Sequence, residues 1–311
     1  MKSSFWLHLC LAVLFAGGIA QAAASSTDPR SNLLVDANWL DAHLHDPDLV
    51  LLHVGDETEY RKAHIPGARW VSQDELSWSE HTRDGLMLEM LPDEDLRARL
   101  EKLGISDNSR IVVYYGKDWV SPSTRVVFTL QYAGLGERTR LLDGGMRAWT
   151  AQGGATSKDT PPVQPGKLAA LKVQPLIVDA DYVRTHLDTP GVAVVDGRAA
   201  VYYDGVEVGG AHGQVHHKGH IRGARSVPFT TITDDQLRVR STAELKALFE
   251  AAGIQPGDTV VGYCHIGQQA TATLFAARLL GHPVRLYDGA FQDWSRRKDN
   301  PVETSTKRGQ P

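Results

Sequence analysis

Cysteine is almost missing from this chain: Cys10 and Cys264 are the only two in 311 residues. That excludes a disulfide framework, so the fold must stand on a packed core. An excess of positive charge is missing too. The 33 Lys and Arg stand against 37 Asp and Glu, a net charge of -4, which excludes a broad nucleic-acid-binding surface. A local anion pocket needs only a few donors and stays open. Bias toward disorder is also lacking, since 42% hydrophobic and 23% charged residues describe an ordinary globular composition. Past the first 20 residues, no apolar run is long enough to span a bilayer.

The one long apolar run that is present begins the chain. Lys2 precedes Phe5 to Ala20, and AQAAASS follows. A basic start, an apolar stretch and small residues at an A-x-A site are the pattern of a secretory signal peptide. A leader is therefore expected over 1–24, with cleavage near Ala22 or Ala24 and a mature protein exported to the periplasm, not held in the membrane. The run is slightly short for an uncleaved anchor, the alternative. Cys10 lies inside the run behind Leu9, where lipid attachment would require a small residue. Cleavage would leave Cys264 as the single thiol, either buried and inert or reactive.

The stretch TSKDTPPVQPGK, residues 156–167, is rich in Pro, Gly and polar residues and reads as part of a linker over 153–172. The segments on either side repeat one another. LVLLHVGDETEYRKAHIPGARWV, RIVVYYGKDW and TRLLDGGMRAW precede it; GVAVVDGRAAVYY, GHIRGARSVPF, TVVGYCHIG and VRLYDGAFQDW follow. Short β-branched runs alternate with helical patterns such as TAELKALFEAAGI (242–254). The fold class this predicts is α/β, two tandem domains over 33–152 and 173–304, each a parallel sheet flanked by helices.

The repeat allows an internal comparison. Asp56 falls opposite Arg198, Tyr60 opposite Tyr202, and Gly116 opposite or within a residue of Cys264. HIPGA (64–68) matches HIRGA (220–224), and Trp149 matches Trp294 as a core residue. What the copies share is scaffold. Where they differ, the second has a thiol and a cation, so chemistry is expected there.

TVVGY (259–263) reads as a buried strand with Cys264 immediately after it. HIGQQ then turns, with Gly267 permitting unusual backbone, and a helix is expected from about Gln269. In an open α/β sheet, ligands bind at the carboxyl ends of the strands. A thiol at such a turn faces backbone N–H groups and the positive end of a helix, a setting that stabilises a thiolate and binds anions.

The tandem HIPGA and HIRGA signatures, VVDGR, YCHIGQQAT and YDGAFQDW resemble the rhodanese family of sulfurtransferases from about Leu33 to Val302. The resemblance implies an inactive N-terminal domain and a catalytic C-terminal one. It implies that Cys264 accepts sulfur, that His265, Ile266, Gly267, Gln268 and Gln269 complete a substrate-binding loop, and that Arg198 contacts the anionic substrate. The implied reaction carries the sulfane sulfur of thiosulfate to a thiophilic acceptor such as cyanide through a cysteine persulfide, in two half-reactions. It needs no metal or organic cofactor; its partners are a small-molecule sulfur donor and acceptor, with a protein persulfide acceptor left open. Ile266 departs from both the basic residue of thiosulfate enzymes and the small one of mercaptopyruvate enzymes, so 3-mercaptopyruvate stays open as the donor.

A cysteine phosphatase would need C-x5-R, and Ala270 stands at the arginine position. A non-catalytic sulfur- or metal-binding module is the other alternative, raised by the Gly- and His-rich stretch 204–217 with His212, His216 and His217. That stretch is expected to border the active-site entrance. His265 beside the thiol invites a general-base role, which a stabilised thiolate would not require.

Overall fold

Near-continuous Val, Ile, Leu and Tyr runs form strands buried on both faces, as parallel sheets require. The computed structural model describes residues 29–82, 85–116, 119–210 and 216–305. The leader expected at 1–24 lies outside the described residues, and so does His212. Five strands, β1 (Leu34–Val35), β2 (Leu49–Val54), β3 (Arg69–Val71), β4 (Arg110–Tyr115) and β5 (Thr139–Leu142), make one sheet in the order β1-β5-β4-β2-β3. Every pairing in it is parallel.

The second half repeats the plan. Strands β6 (Ile177–Val178), β7 (Val192–Asp196), β8 (His220–Ile221), β9 (Arg225–Ser226), β10 (Thr259–Tyr263) and β11 (Val284–Tyr287) follow. All but β8 join a parallel sheet in the order β6-β11-β10-β7-β9. Strand β8 pairs outside it, antiparallel to β12 (Val302–Glu303). Helices cover both sheets, so the α/β architecture of two tandem domains is the one the sequence predicts. Among the described residues, no helix is long and apolar enough to cross a membrane.

The register fixes the internal comparison. Gly116 is the first residue after β4 and Cys264 the first after β10, both central strands. Asp56 and Arg198 each stand two residues beyond β2 and β7. The expected match of Tyr60 with Tyr202 is corrected. Tyr60 stacks on His64 at 4.0 Å and donates its hydroxyl to Ala68 O. Tyr203, not Tyr202, repeats both contacts, stacking on His220 at 3.6 Å and donating to Ala224 O. The cause is one extra residue. Asp56 itself caps the helix Glu57–Lys62, whereas the helix Ala200–Tyr203 starts one place later, after Ala199.

The two domains share a continuous apolar core. Helix Val120–Tyr132 of the first packs against Ala270–Leu279 of the second; both are buried almost all round, as their mostly apolar or small residues predict. Thr124 and Thr271 hydrogen-bond across this contact at 2.9 Å. Trp149 and Trp294 are fully buried in corresponding places, with their indole N–H groups on Ala155 O and Pro301 O. The Pro-rich stretch between the sheets is tied down: Ser157 bridges to His64, and Gly166 donates to Glu101 O.

Candidate active site

Strand β10 ends at Tyr263, and the next residue is the buried Cys264. Its carbonyl accepts from Phe291 N at 3.0 Å and that of His265 accepts from Gln292 N at 3.1 Å, which pins the loop to the segment after β11. Ala290 reaches this position with φ +51, in the left-handed region that favours glycine. Its counterpart in the first domain is Gly145, at φ +52. The thiol-bearing copy thus carries a Cβ where its twin has none.

From His265 to Ala270, no backbone N–H has a hydrogen-bond acceptor among the described residues. The helix Ala270–Leu279 begins only at the end of this run. Gly267 turns the loop at φ +84, close to the other domain: a Cβ there would lie 3.0 Å from Arg125 Nη1. Six consecutive N–H groups without an acceptor, beside a thiol, supply the donors that an anion cradle requires.

The other predicted residues come together unevenly. Arg198 is buried at 1% exposure, its guanidinium paired with Asp196 at 2.6 Å and bonded to Gly219 O at 2.7 Å. It also lies over the Phe291 ring at 4.1 Å. Burial works against its charge, but the Asp196 carboxylate outweighs burial and holds the guanidinium more basic than usual. Arg198 is thus a fixed cation under the site, and no hydrogen bond from its Nη1 is found among the described residues.

Gln268 turns toward the first domain, donating to Gln73 Oε1 at 2.5 Å, while Gln269 keeps a buried, unpartnered Oε1. Ile266 is half-buried. His265 is held neutral, pushed down to about 3 by burial first and then by the charge of Arg198. Its ring meets Tyr202 edge-on at 4.8 Å and lies 5.6 Å from His216.

His216 was legible only as part of a His-rich stretch. It is buried at 5% exposure, packs edge-on to Phe291 at 5.9 Å, and has no partner for either ring nitrogen. Burial, then Arg198, pushes it down to about 4. The stretch therefore does reach the thiol's surroundings. Among the described residues, no three His, Cys, Asp or Glu side chains converge as a metal site.

Sequence reasoning missed Arg125 entirely. This buried side chain of the first domain pairs with Asp288 at 3.0 Å and donates to Gly267 O at 3.2 Å. A charged residue inside an apolar helical pattern was the available signal.

Comparison with known proteins places these features. The family model described as Rhodanese-like domain matches residues 36–152 and 179–297. A thiosulfate sulfurtransferase of Azotobacter vinelandii is 29% identical over 274 residues, covering 87% of this chain and 97% of its own. A probable 3-mercaptopyruvate sulfurtransferase of Pseudomonas aeruginosa is 31% identical over 294 residues, covering 87% and 98%. The crystal structure of YnjE matches with a TM-score of 0.79 at 27% identity, over 89% of this chain and 70% of that one.

Proposed function

This chain belongs to the rhodanese-like family, a tandem sulfurtransferase, and we propose that it moves the sulfane sulfur of thiosulfate through a persulfide on Cys264. The observation that carries this reading is the run of unengaged N–H groups from His265 to Ala270, directly after the thiol. A dianionic donor and the sulfite it releases both fit such a cradle, with Arg198 as a fixed cation beneath.

In the first half-reaction the Cys264 thiolate attacks the outer sulfur. The sulfur–sulfur bond of thiosulfate breaks, sulfite leaves with its electron pair, and the cysteine carries a persulfide. In the second, an acceptor such as cyanide attacks the outer persulfide sulfur. Thiocyanate forms and the bonding pair returns to Cys264 as thiolate. His265 and His216, both held neutral, offer hydrogen bonding without charge. Cys264 has no exposed surface, so neighbouring side chains must shift to admit the donor. We place the mature enzyme in the periplasm on the strength of the N-terminal segment.

A second donor, 3-mercaptopyruvate, is supported by the relative of that name, while Ile266 matches neither donor's pattern. Donor profiling separates the two. The expected result is a higher kcat/KM for thiosulfate, a gain of about 32 Da on wild type and none on Cys264→Ser. A higher kcat/KM for mercaptopyruvate would reassign the donor; a wild-type chain that never gains the sulfur would refute the covalent route.

A further inference from the structure

The carbonyls of the loop after β10 are held from behind, one after another. Cys264 O accepts from Phe291 N at 3.0 Å, and His265 O from Gln292 N at 3.1 Å. Gln268 O accepts from Thr271 N at 3.1 Å and from Thr271 Oγ1 at 2.6 Å. Gly267 O is held at 3.2 Å by Arg125 Nη1, from the helix Val120–Tyr132 of the first domain. No cis peptide occurs among the described residues. Across a planar trans peptide the C=O and the following N–H point opposite ways. Each held carbonyl therefore turns the next N–H, of His265, Ile266, Gln268 or Gln269, away from its own anchor. None of these four N–H groups has an acceptor among the described residues.

Arg125 differs from the other anchors. Theirs are neutral peptide N–H and hydroxyl groups; Arg125 brings a cation. Its side chain is 2% exposed and pairs with Asp288 at 3.0 Å. Exchanging a buried ion pair for apolar groups of like volume is often neutral or stabilising. Stability alone therefore gives no reason to keep an arginine in this buried helix. A hydrogen bond from a charged donor is about twice as strong as a neutral one, and in a buried chain each hydrogen bond polarises the next. A guanidinium on Gly267 O thus makes the Gln268 N–H, on the far side of that peptide, a stronger donor to an anion. Gly267 has no side chain to obstruct the approach: a Cβ there would lie 3.0 Å from Nη1.

We infer that Arg125, in the domain without a thiol, is a positioning residue for the sulfur donor. It holds and polarises the Gly267–Gln268 peptide so that the Gln268 N–H donates to the bound anion. This deepens the sulfurtransferase reading above and rests on it.

Amide NMR of the isotope-labelled full chain tests this. The Cys264→Ser chain has no thiol to take up sulfur, so thiosulfate is read there as a bound anion. It should move the Gln268 N–H resonance downfield. Arg125→Met together with Asp288→Asn removes the ion pair without leaving a lone buried charge, and the asparagine keeps an acceptor for Met90 N. In that background the Gln268 shift should be largely lost, while the His265 shift, governed by Phe291 N, is kept. With Cys264 intact, the same two substitutions should slow persulfide formation about tenfold. The inference is overturned if the Gln268 N–H ignores thiosulfate, a result that needs no change at Arg125. It is overturned as well if the paired variant keeps either the shift or the rate. Loss of the His265 and Gln268 shifts together, in a chain that stays folded, would make Arg125 a packing residue and overturn it too. A wild-type chain that never gains sulfur from thiosulfate would instead sink the reading beneath it.

Discussion

Arg125, in the domain that has no thiol, donates through Nη1 to the carbonyl of Gly267 in the loop that follows Cys264, at 3.2 Å. The same atom pairs with Asp288 at 3.0 Å, and Nη2 bonds to Leu88 O. Asp288 in turn accepts from Met90 N at 2.6 Å. The first domain therefore braces the loop after Cys264 from behind. Arg125→Ala leaves Asp288 buried without its cation, a loss of about 3–5 kcal/mol. Urea denaturation checks the magnitude, and Asp288→Asn in the same background should recover part of it. An unchanged midpoint in Arg125→Ala would show that the pair braces nothing.

Gly267→Ala tests the same brace from the other side. A Cβ at φ +84 is strained, and it would stand 3.0 Å from Arg125 Nη1 and 3.3 Å from Asp288 O. The loop must shift, so persulfide formation should slow about tenfold or more, since small misplacements of a reacting group are costly. Stability should fall by about 1–2 kcal/mol. Single-turnover sulfite release measures the first effect; a rate equal to wild type would place the loop geometry outside the chemistry.

His216 and His265 stand together above the Phe291 side of the site. His216→Ala removes one imidazole from beside the other without touching the N–H run. It should alter KM for the acceptor several-fold and leave the donor half-reaction near wild type. Varying cyanide at saturating thiosulfate, and the reverse, separates the two. Equal changes in both would assign His216 to packing alone.

Stability should peak near about pH 6.5. Three buried imidazoles, His53 and His216 at about 4 and His265 at about 3, start from 6.5 when unfolded. As pH falls below that value the unfolded chain binds protons the folded chain refuses, so stability present above it is lost. Glu89 runs the other way: burial, with the charge of Asp288, pushes its carboxyl from 4.5 to about 8. The folded chain keeps a proton the unfolded chain sheds, and stability drains as pH rises between those values. Each unmatched proton changes stability by about 1.4 kcal/mol per pH unit. Three imidazoles outweigh one carboxyl in the overlap, and above it Glu89 acts alone. Urea midpoints across pH check the curve, and Glu89→Gln should flatten its alkaline side. A wild-type midpoint that keeps rising through pH 8 would contradict the assignment.

The duplicated strands, the helix after Cys264 and the paired tryptophans were legible because period and repetition encode them. So was the position of the thiol, since a strand run followed by HIGQQ leaves one place for it. Tyr203 was missed because counting from the strand end carries through the inserted residue, and only the stacked ring on His220 shows the shift. Arg125 and Gln292 were missed for another reason. Their partners lie across the domain interface, as with Gln292 on Met87 at 3.1 Å, and no local pattern records a contact between residues 205 apart in sequence. The burial of Arg198 against Asp196 was likewise invisible, although the two are neighbours, because either could have faced solvent.

The single residue inserted before Ala200 has a bearing on ancestry. In the first domain Asp56 spends its side chain capping a helix, accepting from Glu59 N at 2.9 Å. In the second, the later helix start releases position 198 from that duty, and an arginine can turn inward there. The two copies therefore did not diverge by point changes alone. A cysteine placed at Gly116 would have room but no counterpart of that cation, since position 56 is the capping Asp56, so a second such site cannot be made by changing one codon. Lengthening the chain by one residue must come with it.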